Sequence, residues 1–160
     1  MRNFHYCNYY WLILTLIVCC YSAAYADPQE PTAIYQQYLK DLAVKPVEYL
    51  LENYWSSEVE THAKALLADS SSQNRAQRES FNLFVKFPLK MHAIFFMEQV
   101  LRKDSACLLV TGQADNFQSV AFNIRYLLEN DAWRIHAVTV KHYDKKQLMP
   151  TTPNCDPNEH

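Results

Sequence analysis

The apolar stretch Phe95-Phe96-Met97-Glu98-Gln99-Val100 encloses the carboxylate best suited to acid–base chemistry. A carboxyl group held among such side chains loses hydration, so its pKa rises and it can exchange protons near neutral pH. Whether Glu98 does so depends on where it points. As a strand, Met91–Leu101 puts Met91, Ala93, Phe95, Met97, Gln99 and Leu101 on one face. His92, Ile94, Phe96, Glu98, Val100 and Arg102 lie on the other. The first set is more uniformly apolar. It is expected to face the core, Phe95 included, with Glu98 turned outward. Histidine offers less. His62, His92, His136, His142 and His160 show neither H-x-x-x-H nor H-E-x-x-H spacing, the patterns that aim two rings at one metal. No metal or other cofactor is expected. G-x-S-x-G is absent, which excludes the nucleophile elbow of the α/β-hydrolases. Gly112 is the one glycine in 160 residues. Dinucleotide fingerprints, Walker loops and EF-hand turns all need more than one such position, or glycine in a context absent here.

The elements that must position these groups are helices first and strands after. Pro31 suits a first helical turn, and Ile34, Tyr38 and Leu42 follow at i, i+4, i+8, predicting a helix to about Val44. Val47, Leu50, Leu51, Tyr54 and Trp55 predict a second after Pro46. Ser57-Glu58-Val59-Glu60 has capping-box spacing and opens a third, with Val59, Ala63, Leu66 and Leu67 inward. The polar run 69–80 reads as a loop or short exposed helix, and the period changes from Phe81. Strands are then expected at Met91–Leu101, Ala106–Gln113, Ser119–Leu128 and Trp133–Tyr143, separated by Lys103-Asp104, Asp115-Asn116 and Asn130-Asp131. In the third strand Val120, Phe122, Ile124, Tyr126 and Leu128 alternate with Ser119, Asn123 and Arg125. In the fourth the phase slips between Trp133/Ile135 and Val138/Val140, and a single bulge near His136-Ala137 would keep all four on one face. Fold class is therefore α+β, with N-terminal helices on a curved antiparallel sheet of about four strands.

Residues 1–26 read as a secretory signal. Arg2 precedes an apolar run from Trp11 to Cys20, and Ala24-Tyr25-Ala26 offers a small-x-small cleavage site before Asp27. The run is about half of the roughly 20 residues needed to span a bilayer, so the mature form is expected to be exported, periplasmic or secreted, and not membrane-spanning. Loss of Arg2 moves the formal net charge from −2 to −3. With no basic stripe, nucleic acid is not expected as a partner. Cleavage also removes Cys7, Cys19 and Cys20, leaving Cys107 and Cys155 as an even pair in an oxidising compartment. A disulfide is expected between them, folding the polar tail, residues 145–160, back across the single domain formed by residues 27–144.

Helices followed by a long antiparallel meander resemble the NTF2-like superfamily, the cone-shaped α+β fold, over about Pro31–Tyr143. The most specific piece runs from Ala121 to Ile135 and looks like the family's closing hairpin. That hairpin often ends in Trp-Lys-Ile, here Trp133-Arg134-Ile135, followed by an alternating Val-x-Val, here Val138-Thr139-Val140. The chain departs from the family at the turn, where Asn130-Asp131-Ala132 replaces glycine or Asn-Gly. Enzymes of the superfamily, of the ketosteroid isomerase type, use a carboxylate base with an acid or tyrosine inside the cone. None of those motifs maps onto residues of this chain. Tyr38, Trp55, Phe95, Phe122, Tyr126 and Trp133 fall on the apolar faces and are the candidates to line a ligand pocket, core packing being the competing role. The resulting expectation is a non-catalytic domain that binds a small apolar ligand or an envelope protein through its concave sheet, with a homodimer among its possible assemblies. The alternative is a small isomerase or dehydratase using a carboxylate or histidine in the same cavity.

Overall fold

The computed structural model describes residues 29–68, 75–114, 117–144 and 147–155. The expected signal segment, residues 1–26, lies outside the described residues, as does the expected turn at Asp115-Asn116. Four helices come first: α1 (Pro31–Leu42), α2 (Val47–Tyr54), α3 (Ser57–Ala68) and α4 (Arg75–Val85). A 3-10 turn, Phe87–Lys90, leads into β1 (Ala93–Leu101), β2 (Ser105–Gln113), β3 (Ser119–Glu129) and β4 (Ala132–Tyr143). The strands form one antiparallel sheet in the order β1-β2-β3-β4, and the helices pack on it. This is an α+β fold. No helix among the described residues is long and apolar enough to cross a membrane.

Helix α4 corrects the expected change of period at Phe81. Phe81, Phe84 and Val85 stand at i, i+3 and i+4, which is helical spacing, and Val85 is buried in the core. The first backbone donor of α3 is also served differently from the expected capping box. Ser57 N–H donates to Glu129 Oε2 (2.9 Å), from the end of β3, while Glu60 pairs with Lys64 at 2.6 Å. A carboxylate from another element thus meets the positive end of the helix.

The β3–β4 hairpin turns on Asn130 (φ 51°) and Asp131 (φ 61°). Two successive positive-φ residues make the tight connection whose twist matches the strands, and Asn and Asp tolerate that conformation without glycine. In β4, Ile135 is opposite Tyr126 and Ala137 is opposite Arg125, so His136 is the extra residue. The bulge falls where the phase slip placed it. Trp133, Ile135, Val138 and Val140 all reach the helix-covered face.

A second bulge, at Phe95, corrects the expected inward face of β1. Ile94 is opposite Gly112 and Phe96 is opposite Thr111, which leaves Phe95 without a partner position. Met97 and Gln99 then take the core side and Glu98 faces out, but Phe95 is expelled and 66% exposed. Gly112 lies beside this bulge. A Cβ there would collide with the Ala93 carbonyl oxygen and come within 2.6 Å of Met91 Sδ. Close approach of another backbone explains the one glycine. Gly112→Ala is expected to lower stability by at least the roughly 1–3 kcal/mol of ordinary core overpacking, read as a lower denaturant midpoint. An unchanged midpoint would mean that β1 does not close on β2 in this register.

Candidate functional site

The helix-covered face of the sheet carries Leu108, Val110, Phe122, Ile124, Tyr126 and Ile135, all without solvent exposure. Aromatic rings from the helices fill the space above them. Phe87 meets Phe122 edge-on at 5.1 Å between centroids, Tyr38 meets Tyr54 at 5.0 Å, and Trp55 lies against Phe84 at 5.3 Å. These are favourable packing geometries for aromatic pairs. Of the six sequence candidates for a pocket, the structure gathers Tyr38, Trp55, Phe122, Tyr126 and Trp133 into this core, and places Phe95 in solvent.

Of the four tyrosines in that core, Tyr54 donates its hydroxyl to Asp41 Oδ2 at 2.5 Å, and the other three have no solvent exposure. Tyr38 Oη donates to the Val85 carbonyl (2.5 Å) and accepts from Trp55 Nε1 (3.2 Å). Tyr35 and Tyr126 carry buried hydroxyls with no hydrogen-bond partner among the described residues. Desolvation, reinforced by the neighbouring phenols, pushes Tyr35 and Tyr126 well above the usual tyrosine range. Desolvation raises Tyr38 similarly, against the Trp55 hydrogen bond. All three are therefore neutral donors at physiological pH. They are not bases.

The opposite face of the sheet is built otherwise. Cys107 and Cys155 are joined by a disulfide, with a Cα–Cα distance of 5.7 Å. Asn154 N–H donates to Asn123 Oδ1 at 2.9 Å. The C-terminal segment is thereby fixed across β2 and β3. Closing the 48-residue loop contributes about 4 kcal/mol on the chain-entropy account. Where this segment meets the β1–β2 turn, a cavity of about 690 Å³ opens. It is lined by the apolar Val100, Leu127 and Pro153, by the charged Arg102, Asp104, Arg125 and Glu129, and by the disulfide. Register explains the assembly: Cys107 is directly opposite Val100 on one side and Arg125 on the other. Arg125 is half-buried, and its Nε is buried without a partner among the described residues. A shallower depression of about 580 Å³ between α3 and α4 is walled by His62, Phe81 and Phe84 among others.

Sequence reasoning missed Arg125, which reads there only as one polar position in the alternation of β3. The sole available signal was its position relative to Cys107, which needs the strand register. Glu98, the acid–base candidate, is exposed on β1. His136 pairs its Nδ1 with Ser56 Oγ at 3.2 Å, and His142 is exposed at the other end of β4. Among the described residues, no group of three or more His, Cys, Asp or Glu side chains is arranged to hold a metal ion.

No protein-family model matches the chain, and none of the curated proteins matches it. Among solved structures it is similar to the solution NMR structure of a de novo designed β-sheet protein. The two are 15% identical, the match covers 77% of this chain and 90% of that one, and the TM-score is 0.36.

The phenols give a differential prediction. Tyr38→Phe strands the Trp55 donor and the Val85 acceptor and is expected to cost about 1–3 kcal/mol. Tyr126→Phe removes a buried hydroxyl that lacks a partner, and is expected to be neutral or to stabilise by up to about 1 kcal/mol. Thermal unfolding of the two variants checks this: an equal loss in both would mean that the Tyr126 hydroxyl is hydrogen-bonded.

Proposed function

We propose that this chain is an exported, non-catalytic binding domain of the NTF2-like type, whose small ligand sits in the outer-face cavity rather than between helices and sheet. The cavity itself carries this reading: about 690 Å³ lies within the roughly 300–1,000 Å³ of small-molecule sites, and its mixed apolar and charged walls are of the kind that fix a ligand's orientation. Packing under the helices supports the relocation, because Tyr38, Trp55, Phe122, Tyr126 and Trp133 occupy the space a concave-face ligand would need. Export is supported by the paired cysteines, which persist in oxidising compartments. The family reading is supported by the order of helices before meander and by the closing strand with Trp133-Arg134-Ile135. An isomerase or dehydratase would need a free carboxylate or imidazole at the ligand. Of the two cavity acids, Asp104 is exposed to solvent and Glu129 has its Oε2 engaged by the first donor of α3.

Because Pro153, Asn154 and Cys155 form one wall, ligand binding is expected to depend on the disulfide. A fragment screen followed through backbone amide shifts should cluster at the cavity in the oxidised protein. Reduction, or Cys107→Ser, should weaken those ligands about tenfold or more, a change of about 1.4 kcal/mol. Fragments that cluster under the helices, or that ignore reduction, would overturn the reading.

A protein partner on β1 is the second reading, favoured by one observation. Ile94, Phe95, Phe96, Val100 and Leu101 are exposed along an edge strand whose one charged residue is Glu98. Edge strands are ordinarily protected by charge or proline because their free backbone groups recruit another strand. A second copy pairing edge to edge predicts a dimer by light scattering that Phe95→Lys dissociates. A wild-type monomer at high concentration removes that assembly.

A further inference from the structure

We infer that the outer-face cavity is a receptor for a small monocarboxylate with an apolar body, held through the Arg125 guanidinium. This deepens the proposed function and rests on it. Three observations lead there. Arg125 stands in the middle of the sheet, opposite the disulfide-bonded Cys107, with its Nε–H out of solvent and without an acceptor among the described residues. A buried donor on a charged group is costly to leave unmade, and an anion satisfies it with a charge-assisted bond. Arg125 is only part-buried and lines the cavity, and the planar fork of a guanidinium matches the two oxygens of a carboxylate.

Around this donor the charges cancel. Arg102, Arg125, Asp104 and Glu129 line the same cavity. Glu129 is already engaged by Ser57 N–H, and Asp104, exposed at the β1–β2 turn, contributes its backbone oxygen to Leu128 N–H (3.0 Å). A lining in which two arginines are matched by two carboxylates gives little to a phosphate or another polyanion. One negative charge is favoured. Val100, Leu127 and Pro153 then supply the apolar surface that a singly charged anion needs in order to gain from leaving water. The disulfide closes the wall beside the guanidinium.

The test uses the oxidised protein and three probes: phenylacetate, its uncharged isostere phenylacetamide, and inorganic phosphate. Nitrogen-15 spectra follow the arginine Nε–H signals and the amides of Cys107, Asn154 and Cys155. Phenylacetate is expected to shift these together, to bind at least tenfold tighter than either other probe, and to lose that preference in Arg125→Gln. Arg125→Lys, which keeps the charge but not the planar fork, should retain part of it. If phenylacetamide binds as well as phenylacetate, the cavity remains a ligand site and the carboxylate inference falls. Equal binding of phosphate overturns the monocarboxylate class. If neither organic probe moves the cavity amides up to its solubility limit, the inference and the cavity reading both fall. Should Arg125→Gln fail to fold, the comparison of probes on the wild-type protein decides the matter.

Discussion

Between α2 and α3 the chain straightens at Trp55 and Ser56 and pairs in parallel with β4, and this junction fixes the helical layer to the sheet. Trp55 forms a bridge with Ile135, Ser56 N–H donates to the Ile135 carbonyl (2.8 Å), and Ser56 Oγ meets His136 Nδ1. Edge pairing of this kind uses backbone groups, so it sets position to within a fraction of a residue, which side-chain packing alone does not. The bulge makes it possible by lifting His136 out of the β3 ladder toward Ser56. One residue before Ile135, Arg134 reaches the carbonyls of Glu52 and Asn53 at the end of α2, where a cation opposes the negative pole of the helix. From the same junction Trp55 projects into the core and donates to Tyr38, whose hydroxyl ties α1 to the end of α4. One extended dipeptide thus orients three helices.

The two faces of the sheet follow different rules in consequence. Under the helices, the aromatic side chains are large enough to fill the layer, and the polar atoms left there are phenols that burial keeps neutral. On the outer face no helix among the described residues is available. Leu109, Thr111 and Ala121 are nonetheless buried there, on the face that the disulfide and Asn154 share. A short polar segment without a core of its own covers a sheet incompletely, and the cavity lies at its end.

Much of this was legible in the sequence where the pattern had a single phase. The slip from Trp133/Ile135 to Val138/Val140 marks the β4 bulge because a polar residue, Arg134 or Thr139, separates the members of each pair. Asn130-Asp131 marks its turn by the same contrast. Strand β1 has no such contrast. Ile94 and Phe96 are as apolar as Phe95 and Met97, so both phases look inward and a one-residue slip leaves no trace. The capping of α3 was hidden for a different reason: Glu129 is 72 residues away from Ser57, and no local spacing encodes it. The cavity was the least legible of all. Val100, Cys107, Arg125 and Cys155 meet through strand register and a covalent bond, and each alone is an ordinary surface residue or a thiol.

Stability by itself does not account for the composition of that cavity. The disulfide would anchor the tail equally well beside any neighbours, and an edge-proximal polar surface is satisfied by water when its charges are exposed. Arg125 departs from that pattern because its Nε is buried while Leu127, on the same strand face two residues on, offers it nothing polar. Replacing it by an aliphatic residue would remove the cost of that one unpaired donor. A part-buried guanidinium lining a cavity beside a covalently fixed segment has a physical rationale when an anion arrives from outside the chain.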